Sequence, residues 1–215
     1  MSHGTGRFVA VLGLLVAGFA PVAAPAQPIE QTVEDHRDDI GEIDRRGNSF
    51  VHRASGYVFP AMLGEVPARK TITFGPGDAE VYYTLYGGAN DDAWISLYVY
   101  KANLGLAEVQ RGVEQVIVEN YAATAVARPS IIAAPPAGVG EGWFKAQIQG
   151  IAVITGARVA QASGWTIKVR VSVPVRGGDA ALGRAARALA AIPMAPVGMA
   201  PPPAAPASHA SAAAR

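Results

Sequence analysis

A search for chemistry in this 215-residue chain starts from its nucleophiles and bases. Nucleophilic catalysis needs a general base beside the attacking group. Apart from His3, the histidines are His36, His52 and His209. His52 and Ser55 are close in sequence, but three residues along an extended segment point to opposite faces. Gln161-Ala162-Ser163-Gly164 lacks the first Gly of a G-x-S-x-G elbow. No catalytic residue is assigned.

Metal ligation fares no better. There is no Cys, which removes thiolate sites, disulfides and Cys nucleophiles, and there is no H-E-x-x-H motif. His36 with Asp39, or Glu34 with Asp38, could meet on a helix face, but such pairs are ordinary on a solvated, charged helix. Asn90-Asp91-Asp92 reads as a hairpin turn before it reads as a cation site. No metal and no cofactor is expected. Glu65, Glu80, Glu119 and Glu141 could serve a carboxylate-pair hydrolase, and nothing in the sequence distinguishes them.

One constellation stands out. Five of the seven Tyr fall in a single strand pair, and Tyr82, Tyr86, Trp94, Tyr98 and Tyr100 share one face. The other face, with Val81, Tyr83, Leu85, Ile95, Leu97 and Val99, is apolar enough to be the core. Aromatic rings with polar tips suit contact with a small ligand or another protein. The competing expectation is that a helix covers this face and makes it a second core.

The elements that would position these residues follow from periodicity. Residues 30–46 hold seven acids and three bases, with a Thr32–Asp35 capping pattern and Gly47 as a stop, so a short helix is expected over Val33–Arg46. Gly56–Pro60 and Ala68–Phe74 read as strands, and Gly75-Pro76-Gly77-Asp78 as a turn. Glu80–Tyr86 and Trp94–Lys101 form a hairpin around GGANDD. A turn centred near Asn90 sets Tyr86 against Trp94 and Tyr82 against Tyr98.

Leu106, Val109, Val113, Val116 and Ile117 predict an amphipathic helix over residues 105–121, with Gln110 and Glu114 turned away. Trp143–Gly150 alternates, and Ile151–Ala162 continues as strand with Gly156 as a bulge or bend. Trp165–Val175 has Ile167, Val169, Val171 and Val173 inward, with Lys168 and Arg170 outward. A last helix, capped by Asp179 and stopped by Pro193, buries Leu182, Ala185, Ala186, Leu189 and Ile192.

Strands, helix, strands, helix is the order of an α+β domain, with an antiparallel sheet carrying an inserted amphipathic helix and a C-terminal helix. That arrangement, ending in the strand GWTIKVRVSVP and a helix, resembles PsbP-like α/β/α sandwich domains over roughly residues 55–192. The resemblance is topological. It implies a non-catalytic accessory or ligand-binding domain and carries no functional residue across.

The ends have their own logic. Arg7, the apolar run Phe8–Phe19 and the small-residue exit Ala24-Pro25-Ala26 read as a signal peptide, cleaved between Ala26 and Gln27. About a dozen apolar residues are too few to span a bilayer, where about 20 are needed. Removing residues 1–26 takes away Arg7 and no acid, which turns 18 basic and 17 acidic residues into 17 and 17. Zero net charge and no basic stripe argue against a nucleic-acid partner. The expected layout is a signal peptide (1–26), a charged segment with a short helix (27–49), the α+β domain (50–192) and a disordered Pro/Ala-rich tail (193–215). The expected role is a secreted or periplasmic binding module for an envelope protein or a small ligand.

Overall fold

A computed structural model describes residues 27–84, 93–194 and 199–200. The signal peptide with its cleavage site, the hairpin tip with Tyr86, and residues 201–215 lie outside the described residues.

The strands are β1 (Ile29–Thr32), β2 (Ile43–Arg46), β3 (Ser49–His52), β4 (Val58–Pro60), β5 (Met62–Leu63), β6 (Val66–Gly75), β7 (Asp78–Thr84) and β8 (Trp94–Lys101). They continue with β9 (Thr124–Ala125), β10 (Gly140–Ile148), β11 (Ile151–Ala162) and β12 (Trp165–Pro174). The helices are α1 (Leu106–Tyr121) and α2 (Gly178–Ala190). The main sheet is antiparallel in the order β1-β6-β7-β8-β12-β11-β10-β9, with β5 pairing along β6, and β2-β3-β4 form a small second sheet. The molecule is thus mostly antiparallel sheet with two helices.

Alternation gives the main sheet two unlike faces. On one, Val81, Tyr83, Ile95, Leu97, Val99, Ile167, Val169 and Val171 are almost wholly buried. They join the core made with the small sheet (Ile43, Phe50, Phe59) and with α2. Burying a side chain of this size is worth about 1.5–3 kcal/mol, so this layer carries most of the fold.

The other face receives α1, and only over β10 and β11. The reason is local. Gly140 and Gly142 present no side chain there, so Gln110 and Glu114 come down onto them; a Cβ on either glycine would lie under 3 Å from those side chains. Ile117 packs with Phe144 and Ala157 in a small cluster. The helical stripe expected from the sequence is therefore rotated. Gln110 and Glu114 face the sheet, while Val116 is left 51% exposed.

Gly156 is no bulge. It pairs in register with Trp143 and Val171, and Trp143 lays its ring directly over it.

Three further expectations are corrected. No helix spans Val33–Arg46. Thr32 and Asp35 do bond as the capping pattern requires, at 2.8 and 3.2 Å, but the backbone between them only turns. The segment is instead tied across the fold: β1 pairs with β6, β2 pairs with β3, and Gly47 turns the β2–β3 hairpin at φ +57°. Its sparse apolar positions could not have buried a helix.

The region after 192 is not all tail. Met194 and Met199 are buried, the Trp165 indole donates to the Ala200 carbonyl at 2.7 Å, and the Ala200 N–H donates to Ser55. In α2, Gly177 takes the cap position instead of Asp179, and the buried stripe is Ala181, Ala185, Ala188 and Leu189. Leu182 and Ala186 are only partly buried.

Candidate functional site

Because α1 covers β10 and β11 alone, the same face of β7, β8 and β12 has no helix over it. The hairpin register is Tyr82 opposite Ser96 and Glu80 opposite Tyr98, two residues from the register expected around Asn90. A slip of two keeps every side chain on its face. Tyr82, Trp94, Tyr98 and Tyr100 therefore do share a face, and all four are partly exposed. Strand β12 adds Lys168 beside Tyr98 and Arg170 beside Ser96.

These side chains floor a cleft of about 470 Å³. Tyr82, Trp94, Tyr98 and Glu80 lie on one side of it; Arg170, Tyr121 and the β10–β11 turn at Gln149 lie on the other. Tyr121 is the last residue of α1 and Gln149 turns the hairpin at φ +52°, so both are set by element ends. Tyr100 lies outside this cleft. It lines a neighbouring groove of about 370 Å³, walled by α1 and floored by Tyr98, Tyr100, Lys168 and Arg170.

The electrostatics are unusual for an open face. Glu80 is nearly buried, and that burial raises its carboxyl above the ordinary range against the opposing pull of the Ser96 and Tyr98 hydroxyls and of Lys168. Tyr98 is pushed up by burial and by Glu80, so it stays a phenol and can donate. Burial lowers the Lys168 ammonium, and Glu80 partly restores it. The Lys168 Nζ sits 3.8 Å from the centre of the Tyr98 ring and 5.7 Å from that of Tyr100. Arg170 stacks on Tyr121 at 4.5 Å and donates from Nη1 to its hydroxyl at 3.2 Å. Its Nε is enclosed and has no hydrogen-bond partner.

The other candidates are elsewhere and do different work. His52 Nδ1 and Ser55 Oγ meet at 2.7 Å, contrary to the opposite-face expectation, because the chain turns back after His52 (His52 N–H to Tyr57 O, 2.9 Å). Both residues have no exposed surface, so no substrate reaches them. His36 Nε2 faces the Ile43 carbonyl at 3.1 Å and must donate to it, leaving Nδ1 to accept from Thr71 at 2.9 Å. It straps the N-terminal segment onto β6. Glu141 holds Arg158 at 2.8 Å and Arg128 at 3.0 Å, an ion-pair network at the far edge of the sheet. Glu65 pairs with Arg187 on α2.

The cleft is lined by one carboxylate, Glu80, and the groove by one, Glu108. A glycosidase pair needs two acids about 5–10 Å apart, and neither cavity supplies the second. What the arrangement can do is bind. It offers ring faces, a desolvated ammonium and an incompletely satisfied guanidinium. Sequence reasoning missed Glu80, Lys168, Arg170 and Tyr121 as members. The only signal was Lys168-x-Arg170 on one strand face, which acquires meaning once β12 is known to pair with β8. No protein-family model, curated protein or solved structure matches this chain.

Proposed function

We propose that the chain is an exported, non-catalytic binding module whose ligand or partner docks on the uncovered aromatic face of the sheet. The observation that carries this is the cleft formed by Tyr82, Trp94 and Tyr98 with Arg170, on a face that α1 leaves free. A core would not leave four aromatics partly exposed beside an enclosed, partnerless guanidinium nitrogen. The residues from Gln27 to Ala200 form one domain of helix–sheet–helix layers in this reading, of the kind that PsbP-like sandwiches have. It is supported by α1 and α2 packing on opposite faces of one sheet. Export to the periplasm or beyond rests on the signal-peptide pattern of residues 1–26. Glu80 serves as a hydrogen-bond acceptor holding Ser96 and Tyr98, not as half of a hydrolytic pair.

Native mass spectrometry of the protein purified from its own cells tests the reading. A bound small molecule or partner is expected on the wild type and is lost in Tyr82→Ala and Trp94→Ala variants that melt normally. A wild-type protein with no adduct and no partner, or an adduct indifferent to both substitutions, contradicts it.

A further inference from the structure

The groove beside α1 opens into the aromatic cleft; the two share Tyr98 and Arg170. Its wall is aliphatic. Val109, Val113 and Val116 line it, and Gly112 leaves open space where a side chain would stand. Val116 is 51% exposed and Leu104, at the groove's end, 58%. A surface helix ordinarily turns such a stripe toward something apolar.

The floor is cationic. The Lys168 ammonium rests on the faces of Tyr98 and Tyr100, and burial already disfavours its charge. Arg170 has one nitrogen on Tyr121 and an enclosed Nε with no partner. Against these two cations stand Glu80, held by Ser96 and Tyr98, and Glu108, which accepts the Gly105 N–H at 3.1 Å at the start of α1. An apolar wall over desolvated cations complements one class of molecule.

We propose that this groove binds an amphipathic anion, a free medium- or long-chain carboxylate, with its acyl chain along Val109, Val113 and Val116 and its carboxylate at Lys168 and Arg170. The proposal rests on the uncovered face being a binding surface and names the ligand class for it. Between Val109 and Val116 the helix rises about 10 Å, enough to wall an acyl chain of about eight carbons. The carboxylate supplies the counter-charge that a desolvated ammonium and guanidinium lack. A neutral alcohol of equal length gains only the tail contact, and a cationic amphiphile meets repulsion.

Calorimetric titration of the purified protein with hexanoate, octanoate and decanoate below their micelle concentrations provides the test. Decanol, decyltrimethylammonium and vesicles containing anionic phospholipid serve as controls. Affinity is expected to rise up to about fourfold per added methylene. Decanol binds at least tenfold more weakly, and the cation and the vesicles do not bind. Val116→Asp, at an exposed position that folding tolerates, abolishes decanoate binding. Lys168→Gln weakens decanoate about tenfold and leaves decanol unchanged.

Equal affinity for decanoate and decanol, no dependence on chain length, binding to vesicles without binding of monomers, or full affinity in Val116→Asp each overturns the proposal. If decanoate fails to bind while a cellular adduct remains sensitive to Tyr82→Ala, the ligand class is wrong and the cleft stands. If decanoate binds as expected and no adduct depends on Tyr82 or Trp94, the groove stands and the aromatic cleft falls.

Discussion

His52 has no exposed surface, and desolvation lowers its imidazole from 6.5 to about 4. Between those values the unfolded chain takes up a proton that the folded one refuses. The residue therefore contributes stability that is whole above pH 6.5 and is lost as pH falls through 4. A shift of this size corresponds to about 3 kcal/mol. Glu80 and Asp78 act in the opposite sense: burial raises both carboxyls, so their contribution is present in acid and lost as pH rises. Urea unfolding of wild type and His52→Gln at several pH values separates the two. The wild type is expected to lose about 3 kcal/mol more than the variant between pH 7 and pH 4; parallel losses would show that His52 is already charged in the fold. The same residue marks a limit of sequence reading. His52 and Ser55 looked separate because the segment was taken as extended, and a single reversal at residues 53–56 brings them to 2.7 Å.

Strand faces were largely legible at the scale of elements, and packing partners were not. The inward sets of β8 and β12 follow from alternation, which a register error of two residues leaves intact. Helix α1 shows the opposite case. Its period is clear, but which part of its circumference meets the sheet is decided by Gly140 and Gly142 on a strand more than 20 residues away. That contact turns Val116 outward and leaves the face of β7 and β8 uncovered. Gly156 likewise reads as a bend and acts as a seat for Trp143. A Cβ there would lie 2.6 Å from rigid ring atoms, with no flexible end to move aside. Gly156→Ala is therefore expected to cost about 1–3 kcal/mol, as overpacking does. Thermal or chemical denaturation measures it, and an unchanged midpoint would mean that the ring has room to shift. Gly142→Ala, which meets the end of the Glu114 side chain, should cost less.

Across the whole molecule, both flanks of the expected domain turn out to belong to it. β1 adds a strand to the sheet edge at β6, and the stretch around Met194 and Met199 closes the core over Trp165 and Tyr57. Composition hid this. The segment 193–200 is Pro- and Ala-rich, yet two methionines and a few backbone bonds suffice to anchor it. A chain ending at Ala200 should keep the wild-type unfolding midpoint. A chain ending at Ile192 should lose about 3–5 kcal/mol, from two methionine side chains and the bonds of Ala200. Equal stability of the two would place those contacts outside the cooperative fold.

The central claim is that one helix covers only part of the sheet and leaves the aromatic face accessible. Of the three tryptophans, Trp143 and Trp165 are buried and Trp94 alone is partly exposed on that face. Acrylamide quenching of wild type against Trp94→Phe reads this directly. One readily quenched fraction that vanishes in the variant is the predicted result; a wild type whose emission is shielded throughout, with no quenchable fraction to lose, would contradict it.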